Sequence, residues 1–261
     1  MALCLRLTDI PWMKLRRQVL PERLDVMPVD DPLARRSRSD LQRVHRVMRS
    51  LTILRQAIGR VGITRPPRRI LELGAGDGSL MLRFALLSHW REVQVTFLDR
   101  HDLIGPEIRR PLDMLGWDVR ILSMDALDWA HASCDQQYDL GVTTLFLHHF
   151  QSAALEKLLC AVAARCQAFI ACEPRRNSVA WFASHLLGLL GANEVTREDG
   201  VTSVVAGFAG HELSALWPAS GARWRLQEYF AWPFTHCLVA DADGGADRGV
   251  GAKQQGGGNE Q

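Results

Sequence analysis

The 261-residue chain has no apolar run that reaches the roughly 18 uncharged positions needed to cross a bilayer. Its first 20 residues are apolar only in patches, because Arg6, Asp9, Lys14, Arg16 and Arg17 interrupt them; no uninterrupted secretory core is present. The six cysteines (Cys4, Cys134, Cys160, Cys166, Cys172, Cys237) are scattered and include no C-x-x-C pair, so neither a zinc site nor a disulfide framework follows. Net charge is only +2, too little to argue for a nucleic-acid partner. The arginines that cluster locally, such as Arg35, Arg36, Arg38, Arg43 and Arg46, are interleaved with acidic residues and read as solvated helix faces. Aromatic residues make up 7% against 47% hydrophobic overall, a balance that suits a core of buried parallel strands and helices. No internal repeat is evident. What remains is the expectation of a soluble, cytoplasmic α/β protein with one substantial core and no membrane span.

What is present centres on Ile70-Leu71-Glu72-Leu73-Gly74-Ala75-Gly76-Asp77-Gly78. A short apolar run ends in an acid and three glycines at alternate positions. Glycine tolerates backbone angles that a Cβ forbids and lets a ligand approach the main chain, so this reads as a buried strand breaking into a cofactor loop. Residues 79–87 then predict a helix packed back on the sheet. Strand, loop and helix make the first βα unit of a nucleotide-type fold, where ligands sit beyond the carboxyl ends of parallel strands. A dinucleotide fingerprint needs a third glycine where Ser79 stands.

The pattern Glu-x-Gly-x-Gly-x-Gly instead resembles the first motif of the class I S-adenosylmethionine-dependent methyltransferases. Later segments extend the resemblance over roughly residues 40 to 240. Val93-Gln94-Val95-Thr96-Phe97-Leu98-Asp99 is a β-branched run closed by an acid, 21 residues beyond Gly78, where a carboxylate can accept from ribose hydroxyls. Residues 118–128 predict a third strand ending at Asp125-Ala126, which resembles the adenine-contacting segment; Trp129 would either wall the adenine or pack at the junction. Residues 138–150 predict a fourth strand leaving through Leu147-His148-His149-Phe150, and residues 168–177 a fifth leaving through Glu173-Pro174-Arg175-Arg176-Asn177. Both exits resemble those of quinone- and polyketide-tailoring methyltransferases. The resemblance implies S-adenosylmethionine as cofactor, held by Glu72, Gly74, Ala75, Gly76, Asp99, Arg100, Asp125, Ala126 and Thr144. It implies a substrate side near Glu173 and Asn177, with Arg175 or Arg176 available to an anionic group.

Around this frame, residues 1–37 read as an extension able to cover the site, with a turn at Asp30-Asp31 before Pro32. Asp40 is expected to cap a helix that carries Leu41, Val44, Val47, Met48, Leu51, Leu54 and Ile58 on one face and ends near Gly59 to Gly62. His101 and Asp102 are expected to start the helix after the second strand. Residues 178–191 suggest an apolar helix where such enzymes insert a substrate lid, residues 195–200 a charged loop, and residues 208–213 the start of a helix. Residues 224–230 and 235–240 predict a closing antiparallel hairpin. The expected division is residues 1–60 as N-terminal helical extension and possible lid, 61–241 as a Rossmann-like seven-stranded methyltransferase domain, and 242–261 as a disordered tail.

The expected activity is methyl transfer from S-adenosylmethionine to an oxygen or carbon of a small molecule, phenolic or polyketide-derived, with His148 or His149 as candidate base. The two adjacent histidines are expected to face different directions, and with no third ligand in view no metal is expected. No Asn/Asp-Pro-Pro-Tyr-type segment follows the fourth strand, which disfavours nucleic-acid or protein substrates. A nicotinamide-dependent oxidoreductase and a non-catalytic methyltransferase-like partner are the rival readings, and the oligomeric state stays open.

Overall fold

The computed structural model describes residues 15–63, 65–133, 136–219 and 224–242. A short helical turn, α1 (Arg23–Val26), precedes two longer helices, α2 (Pro32–Val47) and α3 (Ser50–Ile58). The α/β body then runs β1 (Arg69–Leu73), α4 (Ser79–Ser88), β2 (Val93–Asp99), α5 (Pro106–Met114), β3 (Trp117–Ser123), α6 (Ala126–His131), β4 (Leu140–Thr144), α7 (Ser152–Arg165) and β5 (Ala168–Pro174). Helices α8 (Ser178–His185) and α9 (Glu194–Ala206) follow, and β6 (Trp224–Ala231) and β7 (Thr235–Ala242) close the sheet. The strand order is β3-β2-β1-β4-β5-β7-β6. Five strands run parallel, and β7 inserts antiparallel between β5 and β6. The seven-stranded sheet and its closing antiparallel hairpin are those expected from the sequence. Residues 243–261, most of the expected tail, lie outside the described residues, and Ala242 ends β7.

Side-chain alternation along the strands builds two cores. Ile70, Val95, Val142 and Ile170 face α3 and α4, whereas Leu71, Leu73, Leu98 and Phe169 face α6 and α7. A parallel strand covered on both sides reads as a continuous apolar run, and β5 is buried at all seven positions. At the carboxyl edge of the sheet, polar strand-end residues such as Glu72 border a cavity.

Several local expectations are corrected. The helix expected from Asp40 begins eight residues earlier: Pro32 takes its first position, where a missing N–H costs nothing, and Asp31 Oδ1 accepts from the amides of Leu33 and Ala34. Asp40 lies inside α2, buried against α9, and the helix breaks at Arg49, whose φ of 57° puts it in the left-handed region. Instead of opening α5, Asp102 accepts from Ile104 N and pairs with Arg109, and Gly105-Pro106 starts the helix. Residues 195–200 belong to α9 rather than to a loop; Asn193 caps it through Thr196 N. The expected helix start at 208–213 is a turn leading into a short 3-10 segment, Ser214–Leu216.

Candidate functional site

Beyond the carboxyl ends of β1, β2 and β4 lies a cavity of about 680 Å³. Glu72 leaves β1 into the glycine loop, where Gly74, Gly76 and Gly78 all take positive φ. The turn is held from two sides: Gly74 N donates to Leu98 O at 2.9 Å, and Gly76 N donates to Asp99 Oδ2 at 2.9 Å. Gly74 permits close packing, since a Cβ there would come within 2.3 Å of the Phe146 ring. A Cβ on Gly76 would meet nothing within 4 Å, so its backbone faces open space. Asp77 Oδ1 accepts from Ser79 N at the start of α4, and Gln42 of α2 donates to Oδ2 at 2.8 Å, tying the N-terminal helices to the loop.

Glu72 is 4% exposed, and its Oε2 has no partner. Burial, reinforced by Asp77 and Asp99, raises its carboxyl to about 8. Thr144 Oγ1, on the neighbouring strand end, is also buried and unpartnered. These orphaned atoms, beside a glycine loop whose Gly76 backbone is open, are left for the polar groups of a ligand to satisfy. Asp99 also holds the turn after β2, accepting from His101 N at 3.1 Å. Asp125 caps α6 by accepting from Leu127 N at 2.7 Å. Ala75, Arg100, Asp125, Ala126 and Thr144 all line the same cavity, together with Glu72, Gly74, Gly76 and Asp99.

Other expected residues are placed differently. Trp129 sits in the second core, 3% exposed, under the guanidinium of Arg165, so it packs at the junction and does not line this cavity. Glu173 is fully buried and does not line the cavity. Its carboxylate accepts from the amides of Phe146, Leu147 and His148 and from His148 Nδ1 at 2.8 Å. This buried acid fastens the exit of β4, where Leu145 is held at a φ of 55°. Asn177 caps α8 through Ala180 N and is likewise absent from the lining. Arg176 binds Glu212, and Arg175 stacks over Phe230, so neither guanidinium is presented to an anion in the cavity.

Both histidines line the cavity, contrary to the expectation that they diverge. They lie in a 3-10 turn, Leu147–His149, with rings 4.3 Å apart and tilted by 32°. In a 3-10 turn successive side chains are about 120° apart rather than on the opposite faces of a strand, so both rings can border one cavity. Burial alone would lower the His148 pKa, but hydrogen bonds to Glu173 and Glu22 outweigh it and raise it to about 9. His148 Nε2 lies 3.3 Å from Glu22 Oε1, and His149 Nδ1 lies 3.1 Å from Asp25 Oδ2.

Glu22 and Asp25 were not foreseen as site residues, and nothing in a proline-flanked segment 126 positions from its histidine partner signals the contact. Ser37, Leu41, Val44 and Met48 of the N-terminal helices also line the cavity, as do Ala183, Leu187 and Leu190 from the far side. His45, facing Asp77, is pushed down to about 4 by burial and is therefore neutral at physiological pH.

The strand order, the glycine loop and the acid at the end of β2 define the fold of class I methyltransferases. Solved structures carry the same fold. The plantazolicin methyltransferase BpumL in complex with S-adenosylhomocysteine matches with a TM-score of 0.58 at 14% identity, over 82% of this chain and 91% of that one. The plantazolicin methyltransferase BamL, in complex with S-adenosylhomocysteine and a triazolic desmethylPZN analog, matches with a TM-score of 0.56 at 12% identity, over 84% of this chain and 92% of that one. An O-methyltransferase family protein from Burkholderia thailandensis matches with 0.52 at 13% identity, over 82% of this chain and 64% of that chain. No family model matches the sequence, and no curated protein does. Among the described residues no helix is long and apolar enough to cross a membrane.

Proposed function

We propose that the protein is an S-adenosylmethionine-dependent methyltransferase acting on an oxygen or carbon of a small, largely apolar molecule of phenolic or polyketide-derived type. The observation that carries this reading is the buried Glu72 carboxyl, with Oε2 unpartnered, beside a glycine loop whose Gly76 backbone faces open space in the cavity. Glu72 and the loop suit the cationic methionine end of the cofactor; Asp99, with Arg100 beside it, suits the ribose; Asp125 and Ala126 suit the adenine. Thr144 lines the same cavity. The cofactor supplies an electrophilic methyl group on a positively charged sulfur.

What the chain itself contributes is placement. Alignment of acceptor and methyl group can supply on the order of 7–11 kcal/mol in well-oriented systems. Leu41, Val44 and Met48 on one side and Ala183, Leu187 and Leu190 on the other form apolar walls that exclude water and favour a ring or chain over a charged acceptor. A phenol or enol must also lose a proton, and the polar end formed by Glu22, Asp25, His148 and His149 is where the cavity meets that requirement.

The test is calorimetric titration of the purified protein with S-adenosylmethionine, S-adenosylhomocysteine and NADH. Binding of the first two, weakened in Glu72→Gln and Asp99→Asn, is expected. Binding of NADH alone would replace the reading with the oxidoreductase, and binding of none would leave a scaffold role.

A further inference from the structure

The geometry points to a divalent metal site in the cavity, formed by Glu22, His148 and His149, with room for an ion of the zinc type. One potential ligand atom from each of the three residues lies within 4.8 Å of the other two, a spread that an ion with bonds of about 2.0–2.2 Å can close with small side-chain movements. Two imidazoles and one carboxylate are the donor set of open transition-metal sites, in which three protein ligands leave a position free for an oxygen from substrate or water.

The surroundings fit ligation. His148 gives Nδ1 to Glu173 at 2.8 Å and turns Nε2 towards Glu22. His149 gives Nδ1 to Asp25 at 3.1 Å. Each ring is thus oriented by a carboxylate through Nδ1, which leaves Nε2 as the ligating nitrogen; metal-binding histidines are commonly held this way. Glu22 is itself positioned by Ser203 Oγ, which donates to Oε1 at 2.5 Å. Three carboxylates face two imidazoles here, and among the described residues Arg100 is the arginine paired with them, 3.3 Å from Asp25.

The binding stands on this geometry; the role of the ion rests on the methyltransferase reading. An acceptor oxygen entering the free position would be polarised and would release its proton to solvent more readily, and His148 and His149 would then be ligands rather than bases.

The test uses the full-length protein, stripped with a chelator and titrated with Zn²⁺ against a chromophoric competitor, without cofactor. One equivalent is expected to bind. Glu22→Gln and His149→Ala should each weaken binding by at least ~10-fold and Asp25→Asn by about 10-fold. His211→Ala, an exposed histidine outside the cavity lining, should bind like wild type. Co²⁺ in place of zinc should give a d–d absorption band with no thiolate charge-transfer band. His149 is partly exposed, so His149→Ala keeps the test open should Glu22→Gln misfold, and circular dichroism reports which variants are folded. Absence of saturable binding, or equal affinity in wild type and folded His149→Ala, would overturn the inference and leave the cluster as ion pairs. Zinc binding without S-adenosylhomocysteine binding would instead remove the methyltransferase reading and keep the site.

Discussion

Glu72 keeps its proton in the folded chain. Burial raises its carboxyl from 4.5 to about 8, so the folded state binds a proton that the unfolded state releases. The associated stability is fully present below pH 4.5 and is lost as pH rises through 8, by up to about 1.4 kcal/mol per pH unit in between. Glu72→Gln removes this dependence. Its Tm should therefore rise relative to wild type from pH 6 to pH 8 and level off above pH 9, as thermal melts across that range will show. Gly74 and Gly76 make a second contrast. Both have positive φ, and alanine costs about 1–2 kcal/mol there from the backbone alone. Gly74→Ala also drives a Cβ into Phe146 and should lower stability by more than ~2 kcal/mol in urea. Gly76→Ala meets open space, so it should stay near the backbone cost and lose cofactor affinity instead.

At the level of elements, a buried acid helps join α2 to α9, beside the bonds of Ser37 and Leu33 to Asn193. Asp40 Oδ2 accepts from Asn193 N at 2.8 Å and from Thr196 Oγ1 at 3.3 Å, and Oδ1 pairs with Arg43. Asp40→Ala strands those donors and is expected to cost ~1–3 kcal/mol, read as a fall in the urea midpoint at unchanged slope. The same residue shows where sequence reading failed. An aspartate just ahead of an apolar 3–4 repeat has the pattern of a helix cap, but Asp31-Pro32 upstream is the stronger start and Asp40 answers to a partner 153 positions away. Residues 195–200 were unreadable for a related reason: Val195, Thr196 and Gly200 favour other conformations, and α9 is held by its Asn193 cap and by Asp199, which accepts from the amides of Arg23 and Leu24. Strands β1, β2 and β5 were legible almost to the residue because a strand buried on both faces has no choice of composition. Of the site, the glycine loop and Asp99 carried local signals, whereas Glu173 was legible as an important acid and not as an internal fastener.

Taken whole, the molecule places its cavity between the sheet edge and helices contributed by both ends of the chain. A ligand that bridges them should stabilise all of it. S-adenosylhomocysteine at 100 times its Kd adds about 2.7 kcal/mol, or roughly 5–10 °C in Tm for a chain of this size, and Asp99→Asn should reduce that rise. The strand order carries a consequence for biosynthesis. β5 is buried on both faces, yet its outer edge pairs with β7, the last of the described strands in chain order. While a ribosome is still translating the residues after Pro174, β5 has been made and its partner has not, and its bare edge can recruit a second nascent chain. A premature stop codon anywhere between 175 and 234 should therefore yield insoluble product even though the glycine loop, Asp99 and both histidines are already present. Slower translation across that interval should make the expressing cell more dependent on its chaperones.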